Sequence, residues 1–163
     1  MNAKTIILPA LPASLDELKA LPQAGLTDPF ETAALVVAAL CRYEADKDAA
    51  IEMINFLKGP QPLSPYEIQF LRDRLVGKGY VPRSYLRGTS PANNYQPSSP
   101  PAITVSDDLY SYQDKGYVRL QLKSSGADSP RFVKLRQKGS QWFLWENFLL
   151  PDIRQPAAED PWA

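Results

Sequence analysis

The chain has 163 residues, with 18 Lys plus Arg against 18 Asp plus Glu, no histidine and a single cysteine. Without an imidazole it has no Ser-His-Asp or Cys-His catalytic centre, no zincin-type helix and no proximal haem ligand. A chain of this length buries roughly 70% of its extended surface in one core, so we expect a single domain over residues 1–163.

The first apolar stretch, Ile6 to Ala13, follows Lys4 and superficially resembles a short signal peptide. Two prolines in so short a stretch break the helical character that a leader needs. The lone cysteine is compatible with a reducing compartment. We therefore expect a cytoplasmic location, with secretion as the alternative.

Four helices are predicted in a helical half of about residues 14–76, because each apolar-periodic segment begins with capping residues. In the fourth helix, Ile68, Leu71 and Leu75 are expected to face inward. The expected extents are Ser14 to about Pro22, Asp28 to about Tyr43, about Asp46 to Lys58, and Ser64 to Gly77.

The second of these helices is apolar nearly all round from Thr32 to Tyr43. A helix without a polar stripe is enclosed by the rest of the fold, so this is predicted to be the central core helix. Its apolar run, Ala33 to Cys41, is about half the ~18 residues that span a bilayer, so no membrane association is expected. Cys41 is expected to behave there as a small buried hydrophobe.

A loop of about residues 77–101 follows, with five prolines, three glycines and three tyrosines. The tyrosines favour a loop packed on the core over a free one. Arg83, Tyr85 and Arg87 lie close together in it. Guanidinium groups bind carboxylate or phosphate and tyrosine adds contact area, so this segment is the preferred site for a protein partner. The alternative is that Arg83 and Arg87 pair with helix carboxylates and hold the loop in place.

The β half, about residues 102–150, alternates apolar and polar residues with period two. Successive strands joined by short turns pair antiparallel. The predicted fold class is therefore α+β, with an N-terminal layer of about four helices packed on a C-terminal antiparallel β-meander of three to five strands. The candidate strands are Ile103 to Val105, Tyr110 to Tyr112, Tyr117 to Lys123, Arg131 to Lys138 and Gln141 to Trp145.

Five cations project from the solvent side of two neighbouring strands, and they form the second group of candidate binding residues. They could neutralise the phosphates of a nucleic acid or a phosphorylated ligand. A solvated face that discourages edge pairing is the preferred interpretation of these cations. The zero net charge and the pI of about 6.3 argue against nucleic acid. The five are Arg119, Lys123, Lys134, Arg136 and Lys138.

The aromatic residues of the last strand are expected to pack in the core, with at least one ring exposed, although a stacking platform for bases or sugars is the alternative. They are Trp142, Phe143, Trp145 and Phe148. The tail, residues 151–163, is predicted to be docked on the rest of the domain. Within it, Trp162 is expected to pack against the domain, because a large ring is rarely left in water.

Paired carboxylates are the remaining route to hydrolysis, and they make a small carboxylate-dependent hydrolase the alternative function. Asp107 and Asp108 with Asp114 lack the spacing and central glycine of an EF-hand. No phosphate loop, dinucleotide fingerprint or metal-ligand cluster occurs, so neither cofactor nor metal is expected and no catalytic residue is assigned. The available carboxylates are Glu67, Asp73, Asp107, Asp108 and Asp114.

Three segments carry a family resemblance: DPFETAALVVAALCRY (28–43), LKGPQPLSPYEIQFLRDRL (57–75) and SSGADSPRFVKLRQKGSQWFLWENFLLPDIRQPAAEDPWA (124–163). They resemble a family of small uncharacterised bacterial proteins defined as a domain of unknown function. The resemblance covers nearly the whole chain and implies a bacterial protein, but it transfers no mechanism. The leading hypothesis is thus a non-catalytic binding or interaction module, with the hydrolase and the phosphate or nucleic-acid binder as alternatives.

Overall fold

The computed structural model describes residues 2–162, in which one strand is followed by five helices and then by four further strands. The elements are β1 (Ala3–Ile7), α1 (Leu15–Lys19), α2 (Pro29–Cys41), α3 (Lys47–Lys58), α4 (Pro65–Leu75), α5 (Tyr80–Arg83), β2 (Ala102–Ser106), β3 (Tyr117–Leu122), β4 (Arg131–Lys138) and β5 (Gln141–Asn147).

The five strands form one antiparallel sheet in the order β1-β2-β3-β4-β5, which confirms the α+β class. The helical segment is inserted between β1 and β2. β1 was not among the predicted strands. It forms by pairing with residues about 100 positions away, Ala3 opposite Ser106 and Ile7 opposite Ala102.

Helix α2 packs across one face of the sheet and contacts all five strands. Its residues from Thr32 to Leu40 are all buried, which confirms the predicted core helix. The opposing sheet residues are the alternating apolar set of β3 and β4, such as Val118, Leu120 and Leu135. Of the helices in residues 2–162, none is long and apolar enough to cross a membrane.

The predicted capping residues begin the helices. The side chains of Asp28 and Asp46 accept hydrogen bonds from the amides of Phe30 and Ala49 at the starts of α2 and α3. At the start of α4 the Ser64 hydroxyl accepts a hydrogen bond from the Glu67 amide, and the Glu67 carboxylate accepts one from the Ser64 amide. Because each bond satisfies an amide that has no partner in its helix, the helix starts could be located from sequence.

The loop of residues 77–101 is packed on the core. It contains the single-turn helix α5, and the rings of Tyr85 and Tyr95 are buried. The Tyr95 hydroxyl donates to the Arg154 carbonyl, which joins the loop to the tail.

Three expectations were wrong. Tyr110 to Tyr112 is a turn and not a strand, because the Asp108 carboxylate accepts from the Tyr110 amide at 2.8 Å and fixes the turn. Ile68 lies on the exposed side of α4, since Leu71 and Leu75 make the contact with the core. Trp162 is 93% exposed, because Ile153 and Pro156 are the buried residues of the tail and Trp162 lies beyond them.

Candidate functional site

A groove opens between α4 and the edge strand β5, with a volume of about 230 Å³. Buried apolar side chains of three helices and of β5 line its inner wall: Val36, Leu40, Ile54, Leu71 and Leu144. The groove is therefore mainly apolar, and it lies beside a strand at the edge of the sheet.

The outer edges of the groove carry large aromatic side chains that water reaches. Tyr66 of α4 is 80% exposed on one side, and Phe148, just after β5, is 46% exposed on the other. Phe70 of α4 also lines the groove and is partly buried. Clustered exposed aromatics beside an apolar cleft are typical of interaction surfaces rather than of a plain solvated face.

The position of α4 creates the groove. The Asn55 side chain accepts from the Leu63 amide at 2.8 Å, which ties the segment before α4 to α3. Leu71 and Leu75 are the buried residues of α4, so the second half of the helix rests on the core and its first half stands beside β5.

Part of the β5 edge is already occupied within the chain. The Trp142 amide donates to the Leu26 carbonyl at 2.8 Å, and the Thr32 hydroxyl donates to the Trp142 carbonyl at 3.2 Å. Residues 144–148, further along the strand, line the groove instead.

An ion pair lies in the wall of the groove. The ammonium of Lys58, whose side chain is 6% exposed, lies 3.2 Å from a carboxylate oxygen of Glu67. Burial alone raises the pKa of Glu67, but the hydrogen bond from the Ser64 amide and the contact with Lys58 outweigh it and lower the pKa. Glu67 is therefore charged at neutral pH, and its carboxylate forms an ion pair with the buried Lys58 side chain in the wall of the groove.

A second depression of about 280 Å³ adjoins the first, and Lys58, Leu144 and Trp145 line both. Its remaining wall includes Arg136 and Lys138. The Arg136 guanidinium lies over the Trp145 ring, 4.7 Å from the ring centroid, in cation–π geometry. The combined groove thus has an apolar end beside α4 and a cationic end beside β4.

A β-bulge brings Trp145 to the junction of the two depressions. The pairing register of β4 with β5 shifts between Lys134 and Leu135, so Lys134 lies opposite Glu146 while Leu135 lies opposite Leu144. Trp145 is the extra residue of β5. A bulge leaves its extra residue unpaired and redirects the side chain, and here the redirected side chain is the Trp145 ring that lines both depressions.

The structure places the Arg/Tyr loop residues in different surroundings. Arg83 forms an ion pair with Glu44 and donates through Nε to the Tyr95 carbonyl at 3.3 Å. Tyr85 is 3% exposed, its hydroxyl donates to the Leu149 carbonyl, and burial raises its pKa. Arg87 is exposed. These contacts favour the alternative in which the loop is held in place, and a binding role for Arg87 stays a prediction.

Three of the five candidate cations share the face of the sheet opposite α2, and each lies over an aromatic ring. Arg119 is 4.2 Å from the centroid of the Phe132 ring, and Lys134 is 4.9 Å from that of Tyr117 while also 3.3 Å from Asp114. Arg136 is the third. Lys123 lies at the far end of β3, and Lys138 adjoins the turn between β4 and β5. A phosphate-binding role for this face stays a prediction.

Each candidate carboxylate has a local partner; Glu67 and Asp73 belong to α4, whereas Asp107, Asp108 and Asp114 belong to the loop between β2 and β3. Asp107 accepts from the Asn2 amide and the Tyr112 hydroxyl, both at 2.7 Å, and these bonds lower its pKa. Asp73 accepts from Gln69 and Asp114 pairs with Lys134. Among the described residues, no three His, Cys, Asp or Glu side chains form a metal-binding group.

Two carboxylates that the sequence did not single out line one cleft. Glu44 and Glu159 border a cleft of about 610 Å³ at the C-terminal end of α4, together with Tyr43 and Tyr80. Glu44 is paired there with Arg83.

Sequence reasoning missed the groove because its walls come from four separate segments. One signal was present: α4 carries Tyr66, Ile68 and Phe70 in addition to Leu71 and Leu75, more apolar residues than one buried stripe needs. Such an excess marks a helix with a second apolar contact to make.

Comparison with known proteins places the chain in a family. No curated protein and no solved structure matches it. The family model described as "Domain of unknown function (DUF6935)" matches residues 10–157, nearly the whole chain. The match confirms the resemblance seen in the sequence and covers the elements from α1 to β5 that build the groove. The chain therefore belongs to the DUF6935 family, whose description assigns no activity.

Proposed function

We propose that the protein is a non-catalytic interaction module, located in the cytoplasm, that binds a short segment of a partner protein in the groove between α4 and β5. The observation that carries this proposal is an apolar groove at a sheet edge whose two sides end in exposed aromatic rings, Tyr66 and Phe148.

The size of the groove favours side chains of a peptide over a small-molecule cofactor. Each of the two depressions is smaller than the ~300–1,000 Å³ typical of pockets for drug-sized ligands. Two adjoining depressions of this size suit two anchoring side chains from one short segment. The apolar end favours an aromatic or aliphatic anchor, and the end with Arg136 and Lys138 favours an acidic one.

The proposed site differs from the Arg/Tyr loop that the sequence favoured. The ring of Tyr85 would have to leave the core to reach a partner, whereas the rings of Tyr66 and Phe148 are already at the surface. Exposed rings bind without the cost of opening the core.

A carboxylate-dependent hydrolase is the second candidate, supported by Glu44 and Glu159 in one cleft. The ion pair of Glu44 with Arg83 weighs against it, because the carboxylate is already engaged by a side chain that holds the loop in place. Glu44→Gln would abolish any hydrolysis of a panel of chromogenic glycosides if this candidate were correct.

Peptide selection from a random displayed library against the intact protein tests the binding proposal. We expect enriched peptides to combine an aromatic with acidic residues, and Tyr66→Ala or Phe148→Ala to weaken their binding more than about tenfold in calorimetry. The matched control is Leu109→Ala, an exposed apolar residue on a different loop, which should leave affinity unchanged. Failure to enrich any peptide, or equal affinity for all variants, would overturn the proposal.

A further inference from the structure

We infer that the groove binds the C-terminal segment Glu159–Trp162 of a second copy of this chain. This inference rests on the proposed function and names the partner of the same groove. The occupant is thus a segment with two acidic residues and one tryptophan.

Trp162 is displayed to solvent on an anchored tail. The tail is fixed by the buried residues Ile153 and Pro156 and by the bond from the Arg154 amide to the Gly126 carbonyl at 2.9 Å. Beyond these anchors, the Asp160 side chain accepts from the Trp162 amide at 2.8 Å, which shapes the last turn. An indole that is 93% exposed on an ordered turn is available to a partner and has little chain freedom left to lose.

The charges of the tail and of the groove are complementary. Over residues 2–162, no ion pair involves Arg136 or Lys138 at the cationic end of the groove, and none involves Glu159 or Asp160 of the tail. Two unpaired charges of each sign therefore remain for a contact between copies.

The groove also fixes the orientation of the segment. Glu67 and Glu146 line the apolar end, so the acidic residues of the tail would be repelled there. They belong beside Arg136 and Lys138, which leaves the indole for the apolar end. Asp160 and Trp162 lie two positions apart on one turn, so the turn presents a carboxylate and an indole side by side. The two adjoining depressions share Lys58, Leu144 and Trp145, so two neighbouring side chains suit them.

A second copy fits better than the tail of the same chain. Glu159 lines the cleft at the C-terminal end of α4, together with Leu75 and Val76, whereas the first half of α4 lines the groove. Reciprocal exchange of tails between two copies fills both grooves and closes at a dimer.

Sedimentation equilibrium of the full chain tests the inference. We expect wild-type mass to rise with concentration toward twice the 18.2 kDa of one chain, and Trp162→Ala to weaken association more than about tenfold. Lys138→Glu and Glu159→Lys should each weaken it, and an equimolar mixture of the two should restore it because the exchanged charges again attract. The matched control, Lys123→Glu at the far end of β3, should associate like wild type.

The contrary outcomes separate this inference from the proposed function. A wild-type protein that stays monomeric to about 1 mM, or a Trp162→Ala protein that associates normally, overturns the inference. If peptides selected from the library still bind the groove in that case, the proposed function stands. If neither those peptides nor a peptide of residues 155–162 binds, both are overturned.

Discussion

At position 59 a glycine lets β5 pack against the end of α3. Its φ is +66° and its ψ is −123°, a combination that lies outside the left-handed helical region and that residues with a Cβ rarely adopt, and an added Cβ would overlap the ring of Phe143. We expect Gly59→Ala to lower the free energy of unfolding by about 1–3 kcal/mol for the backbone and by a further ~1–3 kcal/mol for the overlap. The measurement is urea unfolding.

Gly139 supplies the matched control for this prediction. Its φ is +62°, but an added Cβ would meet no atom within 4 Å. Gly139→Ala should therefore lower the free energy of unfolding by the backbone contribution alone. If the two variants lost equal stability, the packing of β5 against Gly59 would not be as described.

The ion pair in the groove gives stability a dependence on pH. The pKa of Glu67 is lowered from its ordinary value of 4.5, so the folded state binds fewer protons than the unfolded state below that value. The stability that the charged Glu67 carboxylate contributes is fully present above about pH 5, and it is lost as the pH falls through the pKa of Glu67 in the folded state. Glu67→Gln should flatten this part of the curve of unfolding free energy below about pH 5.

Asp73→Asn is the control for the Glu67 variant, because it removes one carboxylate from the same helix. It should retain the part of the pH dependence that Glu67 supplies. A Glu67→Gln curve that runs parallel to the wild-type curve would show that Lys58 does not hold this carboxylate in its charged form.

Cys41 is expected to be unreactive in the native protein. Burial raises the pKa of its thiol to about 12, with smaller opposing effects of Arg83, which lowers it, and Glu44, which raises it. Since the thiolate is the reactive form, labelling with Ellman's reagent at pH 8 should be at least ~100-fold slower in buffer than in denaturant. Rapid stoichiometric labelling of the native protein would show that the thiol is not buried.

Among the elements, those defined by local signals were predictable from the sequence and those defined by long-range contacts were not. Asp46 and Ser64 cap their helices as expected because a cap is satisfied within three residues. β1 depends on a partner strand about 100 residues away, so nothing near Ala3–Ile7 indicates it. The groove could not be predicted from the sequence for the same reason, since α4 and β5 come together only in the folded chain.

Helix α4 is expected to be the least protected of the long helices. Leu71 and Leu75 are its buried residues, whereas α2 is buried from Thr32 to Leu40. Local opening is easiest where few apolar contacts hold an element. Hydrogen exchange of α4 amides should therefore precede that of α2 amides by orders of magnitude, and a bound peptide should slow it. Equal protection of both helices would contradict the peripheral position of α4.

At the scale of the whole molecule, three surfaces compete for a functional role. They are the groove between α4 and β5, the cleft that contains Glu44 and Glu159, and the cationic face with Arg119 and Lys134. Of these three surfaces of residues 2–162, the groove alone joins exposed aromatics, an apolar wall and cations without local carboxylate partners. The balanced net charge fits this arrangement, because the cations at the groove and the acidic residues of the tail remain separate within one chain.

Amide chemical shifts recorded while a library-selected peptide is added test the central claim most directly, because all three surfaces are observed at once. We expect shift changes concentrated in residues 58–71 and 136–148, which line the two depressions of the groove. Changes centred on residues 43–47 and 76–83 at the cleft, or on residues 117–134 of the cationic face, would contradict binding in the groove.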